Sequence, residues 1–252
     1  MEIKNYDEYT LGMQKSLDDK LFFMNMVDDM DTVFDYGCAD GSLLKEIGKR
    51  IKGCNLIGYD IDDTMISKAK ENVSDCVFDE SFCSCKNFVQ GKTLLNLSSV
   101  IHEVYSYSTQ KEIELFWHRV FNSGFEYIAI RDLCVGKTSI RSTTENDYKK
   151  IFENGNMKSI VDYEYIWGSV KENKNMLHYL MKYRYKSNWD REVRENYFPI
   201  TLEELLSKIP TSEYEIVYFN HYILPFTKEV VKGDFDIDIT DNTHLQLLLR
   251  RK

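Results

Sequence analysis

Apolar residues recur along the first 135 positions in two alternating rhythms. Thr32-Val33-Phe34-Asp35-Tyr36 is a short, mostly apolar run of the kind that forms a buried strand, and Asn55 to Tyr59 is a second. Between them Leu43, Leu44, Ile47 and Ile51 return at mostly three- and four-residue spacing, so Ser42 to Ile51 reads as a helix with one apolar face. Asp62 to Val73 reads as another helix, with Asp62 as its N-cap. Thr93 to Ile101 follows as a strand, Gln110 to Phe121 as a helix and Tyr127 to Cys134 as a strand. Residues 76–92 carry only enough pattern for a short third strand and a loop. Ahead of all of these, Leu11, Leu17, Leu21, Phe22 and Val27 predict a helix over residues 7–30, ending at the acidic cluster Asp28, Asp29 and Asp31.

Strand–helix alternation of this kind implies an α/β fold, with a mostly parallel sheet and helices on both faces. The alternation breaks near residue 137. Residues 137–200 show no strand–helix repeat and read as a helical or irregular insertion. Thr201 then opens a short helix, Leu202 to Ile209, with Glu203 and Glu204 in its first turn. Glu215 to Leu224 and Thr243 to Arg250 read as two long strands joined by a Lys/Asp-rich connector around Gly233. The expectation is a seven-stranded sheet with an antiparallel terminal strand. Residues 1–252 form a single domain, with 137–200 serving as a lid or substrate-binding subdomain.

Composition narrows the partners. A net charge of −9 argues against a general nucleic-acid binder. Residues 137–200, however, hold twelve Lys/Arg against nine Asp/Glu, interleaved with aromatics as in Met181-Lys182-Tyr183-Arg184-Tyr185-Lys186. Such a surface can stack bases and neutralise phosphates, so nucleic acid stays possible there, beside a lid or a dimer contact. No stretch approaches the ~20 apolar residues of a membrane span, and the N-terminus lacks an apolar leader. The expected location is therefore cytoplasmic, with the six cysteines reduced. Cys76, Cys83 and Cys85 lack paired C-x-x-C spacing and a nearby His, so no metal is expected.

The most informative stretch is Asp35-Tyr36-Gly37-Cys38-Ala39-Asp40-Gly41, which follows a strand and opens a helix. Gly37 permits a tight turn, and Ala39 and Gly41 keep the backbone low enough for a ligand to lie against it. The helix start offers free N–H groups. Nineteen residues beyond Gly41 the second strand ends in Asp60, a carboxylate placed to accept hydrogen bonds from ribose hydroxyls. A nicotinamide fingerprint, G-x-G-x-x-G, would want a small residue at each of 37, 39 and 42, where position 42 is Ser and the glycine falls at 41.

The observed acid-x-G-x-A-x-G resembles the first motif of class I S-adenosylmethionine-dependent methyltransferases, with Ala39 in place of the usual middle glycine. The likeness spans residues 33–135 and resumes at 201–252, including the reversed last strand. It implies a Rossmann-like sheet and S-adenosylmethionine as cofactor. It also implies that Gly37, Cys38, Ala39 and Gly41 meet the methionine and sulfonium part, and that Asp35 helps hold the amino group. Asp60 would bind the ribose, Ile61 and Met65 would lie against the adenine, and Asp79 would meet the adenine amino group. Asn96, Leu97, Ser98 and Ser99 would close the site beneath the sulfur.

Methyl transfer from a sulfonium needs a base only if the acceptor must lose a proton. His102 and Glu103 follow the fourth strand at its carboxyl end, where open α/β sheets place ligands, and are the catalytic candidates. Arg131 and Asp132 read as an ion pair or loop anchor at the site rim. Residues 137–200 are expected to cover the same edge above Gly37 and Asp60, with Trp167 and Tyr185 against the acceptor. The acceptor itself stays open among small molecule, protein and RNA. A module that keeps the fold and binds cofactor or a partner without catalysing is the alternative.

Overall fold

The computed structural model describes residues 17–27 and 29–252. Seven strands form one sheet: β1 (Thr32–Tyr36), β2 (Asn55–Tyr59), β3 (Val77–Asp79), β4 (Thr93–Ser98), β5 (Tyr127–Leu133), β6 (Tyr214–Tyr222) and β7 (His244–Arg251). Their order across the sheet is β3-β2-β1-β4-β5-β7-β6. β1 to β5 pair in parallel, and β7 runs antiparallel between β5 and β6. The central strands β1 and β4 are buried at every position, as a sheet covered on both faces requires. Alternate residues feed opposite cores: Phe34, Leu95 and Leu97 face Phe116 and Val120, while Val33 and Leu94 face Leu44 and Ile47.

Several elements differ from the sequence expectation. Of the helix expected over 7–30, the described part is one turn, Leu17–Lys20, followed by a 3₁₀ turn, Phe22–Asn25. Residues up to 16, Leu11 among them, and Asp28 lie outside the described residues. Tertiary bonds tie this turn down. Asp19 accepts from Arg131 Nε at 2.6 Å and from the Tyr222 hydroxyl at 2.5 Å, and its carbonyl accepts from Gln246. The fourth strand stops at Ser98, because Ser99 takes φ 60° and turns the chain into the helix Ile101–Tyr107. Residues 76–92 hold β3 and a short helix, Phe82–Lys86, capped by Ser81.

The insertion is mostly helical, with helices Glu145–Asn154, Met157–Trp167 and Asn173–Leu180 ahead of the turn Trp189–Glu192. The connector around Gly233 is itself a helix, Pro225–Phe235, with proline at its start. The two pieces share a hydrophobic core of their own, in which Ile160, Tyr163, Leu177 and Phe198 meet Val231 and Phe235. A cap built from residues 137–200 and 223–239 therefore joins the sheet where β5 and β6 end.

Candidate active site

The loop after β1 turns through three left-handed residues, Gly37 (φ 76°), Ala39 (φ 46°) and Gly41 (φ 74°). A β-carbon on Gly37 would stand 2.8 Å from Val100 Cγ2, and one on Gly41 would stand 3.0 Å from the Phe78 ring. Glycine is thus required at both positions for conformation and for space. Ala39 holds a conformation that costs an L-residue roughly 1–2 kcal/mol. Its N–H donates to Asp60 Oδ2 at 2.8 Å, and Asp62 N–H donates to Asp60 Oδ1 at 3.0 Å. Asp60 therefore pins the loop after β1 to the end of β2, and each of its oxygens keeps a further lone pair.

Beneath the loop lies a group of buried acceptor atoms. Asp35 is 2 % exposed, and Asn96 Nδ2 donates to its Oδ1 at 2.7 Å across the paired strands β1 and β4. Among the described residues, Asp35 Oδ2, Asn96 Oδ1 and Ser98 Oγ have no hydrogen-bond partner. Burial raises the Asp35 carboxyl to about 7. Such a group calls for a donor, and an ammonium supplies several. With the glycine cradle above it and Asp60 to one side, these residues fit the amino-acid and ribose ends of S-adenosylmethionine.

A cavity of about 1540 Å³ opens on these residues along the carboxyl edge of the sheet. Asp35, Gly37, Cys38, Ala39, Asp60 and Ile61 line it, together with Met65, Ser98 and Ser99. Ile61 is 85 % exposed, an apolar side chain presented to whatever enters. His102 and Glu103 line the same space, and so do Tyr185, Arg191, Glu195 and Tyr197 of the insertion and Phe226 of the connector helix.

Five expected contacts fall elsewhere. Gly41 starts the helix Ser42–Arg50 and packs against Phe78. Asn96 acts behind Asp35, away from the cavity lining. Leu97 points into the opposite core, because successive residues of a strand face opposite ways. Asp79 spends its carboxylate on the Ser81 N–H at 2.7 Å and does not line the cavity. Trp167 also lies away from the lining: its indole donates to the Val193 carbonyl within the cap.

His102 Nδ1 meets Asp132 Oδ1 at 2.6 Å, and Asp132 also accepts from the Ile101 and Leu133 N–H groups. Burial alone would lower the imidazole pKa, but Asp132, Glu103 and Glu195 outweigh it and raise it to about 9. His102 is then an imidazolium at neutral pH. One nitrogen of His102 and one oxygen each of Glu103 and Glu195 lie within 4.8 Å of one another, a spacing that could hold a metal ion. Arg191 already supplies a cation there, 2.7 Å from Glu195 and 3.2 Å from Glu103. Tyr107 donates to Glu195 as well. Burial first, and then Glu195, raise the Glu103 carboxyl.

The insertion holds this segment in place from behind. Lys182 is wholly buried, donates to the carbonyls of Glu192 and Glu195, and lies over the Tyr197 ring at 4.3 Å. Tyr197 in turn donates to Glu192. Arg191 and Glu195 escaped the sequence reading, and Asp132, expected at the site rim as an ion pair or loop anchor, pairs with His102 while Arg131 pairs with Asp19. Only Asp132 carried a signal, as an acid ending the strand next to the one that ends before His102.

No family model and no curated protein matches the sequence. Solved structures do match in shape. The plantazolicin methyltransferase BamL, in complex with a triazolic desmethylPZN analog and SAH, superposes with a TM-score of 0.51 at 12% identity, over 98% of this chain and 88% of that one. The methyltransferase domain of bacterial CtHen1-C gives 0.51 at 12%, over 94% and 97%. Magnesium protoporphyrin IX methyltransferase (ChlM) from Synechocystis PCC 6803, with bound SAM, gives 0.50 at 12%, over 100% and 86%. At such identity the likeness is one of fold, and the chain has the Rossmann-like fold of class I S-adenosylmethionine-dependent methyltransferases.

Proposed function

We propose that the chain transfers a methyl group from S-adenosylmethionine to a small acceptor enclosed between the carboxyl edge of the sheet and the helical cap. One observation carries this reading: a single cavity is lined by the glycine loop, Asp35 and Asp60, by His102 and Glu103, and by the insertion. When bound, the cofactor supplies a methyl group already activated on a sulfonium. Asp35 and Ser98, with Asn96 behind them, accept hydrogen bonds from its ammonium, and Asp60 accepts from its ribose. The fixed loop and buried edge then contribute positioning and the exclusion of water.

His102, held charged by Asp132, orients the acceptor end as a hydrogen-bond donor. Glu103, whose carboxyl is raised, is the better placed to take a proton from the acceptor. The net charge of −9 and the cap over the cavity favour a small molecule over RNA.

Calorimetric titration of the folded protein with S-adenosylhomocysteine tests the cofactor half. Binding is expected, with Asp60→Ala weakening it roughly ten- to a hundredfold through the lost charge-assisted bonds. Absence of binding by both S-adenosylmethionine and S-adenosylhomocysteine would overturn the reading.

A further inference from the structure

Among the described residues, the Lys20 ammonium takes part in no hydrogen bond or ion pair, although the side chain is buried and lines the cavity. A lysine so placed is unusual, since a buried ammonium is normally paired. Its surroundings explain the position. Arg131, also buried and lining the cavity, adds a like charge nearby, but its guanidinium is already taken by Asp19 and by Ser99 Oγ at 3.2 Å. The electrostatic neighbours of Lys20 include Asp35, so the two lie in one part of the cavity. That part accordingly has two poles. At one, Asp35 Oδ2 and Ser98 Oγ, both on lining residues, have no partner; at the other, Lys20 has no acceptor. A ligand with an ammonium and a carboxylate on one carbon satisfies both poles; a plain nucleoside carries neither charge.

We propose that Lys20 is the carboxylate-binding residue of a zwitterion site, so that the cavity selects a cofactor carrying an intact α-amino-acid end. This rests on the cofactor reading above. Lys20 sits on the turn Leu17–Lys20, which Asp19 ties to β5, β6 and β7. This turn thereby becomes part of the cofactor site rather than a cover over a finished one. Burial and the neighbouring Arg131 both disfavour the lone ammonium, bringing it to about 8, and an incoming carboxylate relieves that penalty.

Three ligands separate the contributions. S-adenosylhomocysteine carries both charged groups, S-adenosyl-3-thiopropylamine carries the amine alone, and 5′-methylthioadenosine carries neither. Wild-type protein should bind the first roughly ten- to a hundredfold more tightly than the second. Lys20→Met keeps the apolar stem and removes the charge. It should bring S-adenosylhomocysteine down to the affinity of the thiopropylamine while leaving the thiopropylamine and methylthioadenosine unchanged. Lys20→Arg should restore part of the gap. The proposal is overturned if Lys20→Met weakens all three ligands equally, or weakens none, as it would if Lys20 served the acceptor. Failure of the folded wild-type protein to bind any of the three defeats the cofactor reading itself. Circular dichroism of each variant confirms that it is folded.

Discussion

Asp35 shows how one side chain can serve the site at a cost to the fold. Its carboxyl is raised to about 7, because burial disfavours the charged form. The unfolded chain gives up this proton near the ordinary 3.8, so the folded state binds it more tightly between these values. The contribution to stability is therefore greatest below pH 3.8, falls as pH rises, and reaches its minimum above pH 7. Asp35→Asn keeps the bond from Asn96 and removes the charge. It should raise stability by roughly 2–4 kcal/mol at pH 8 and leave it nearly unchanged at pH 4, while weakening S-adenosylhomocysteine binding. Urea titrations at the two pH values, with calorimetry beside them, check both halves. Ala39, held left-handed by the Asp60 bond, behaves similarly: Ala39→Gly should relieve strain and gain about 1 kcal/mol in the same assay. The imidazole of His102 should titrate near 9 in wild-type protein and well below that in Asp132→Asn, as followed by NMR. A wild-type value near 6.5 would remove the argument that this ring is charged. By the same linkage, His102 adds stability fully below pH 6.5 and loses it as pH rises through about 9.

At the scale of elements, the cap is held to the sheet domain by charge as well as by apolar packing. Arg191, on the turn Trp189–Glu192, reaches Glu103 on the helix after β4 and Glu195 in its own segment. Removing the guanidinium leaves two carboxylates facing each other with little water. Arg191→Leu should cost roughly 3 kcal/mol at pH 7 and less at pH 5, where the carboxyls take up protons, and Arg191→Lys should fall between. Urea midpoints at both pH values decide this; a loss equal at pH 5 and pH 7 would mean that packing dominates. The helix Gln110–Asn122 carries a simpler device, the reciprocal capping box of Thr109 and Glu112. Its exposure makes it a useful yardstick, with Thr109→Ala expected to cost about 1 kcal/mol.

For the whole molecule, the arrangement of cap and sheet predicts a shared response to ligand. The cavity is lined from one side by β-strand ends and from the other by residues 180–197 and 224–230. Hydrogen exchange with and without S-adenosylhomocysteine should show new protection in the loop 37–41 and near Asp60 first. Slower exchange should follow in 184–197 and 224–230, because the ligand joins the two walls. Protection confined to the loop, with the cap unchanged, would place the cap outside the cofactor's reach. Among the described residues, no helix is long and apolar enough to cross a membrane.

The parallel strands and their helices were legible because one local pattern sets each. The runs Thr32–Tyr36 and Asn55–Tyr59 are continuous enough to bury on both faces, and Leu43, Leu44 and Ile47 leave no choice of helix face. The glycine loop was legible for the same reason: its left-handed turns need glycine or a near substitute wherever the chain runs afterwards. The ligand edge followed from strand direction alone, which puts Asp60 and His102 beside Gly37. What the sequence left undecided depended on partners far away along the chain. The helix expected across 7–30 breaks within its described part, where Asp19 answers to Arg131, Tyr222 and Gln246. The connector near Gly233 is a helix whose apolar side, Val231 and Phe235, packs into a core shared with the insertion. Asp79 looked like an adenine contact, yet its carboxylate turns to the nearby Ser81 N–H. The charges of Lys20, Asp35 and His102 depend on burial and on neighbours from other elements, and both exist only once the chain has folded.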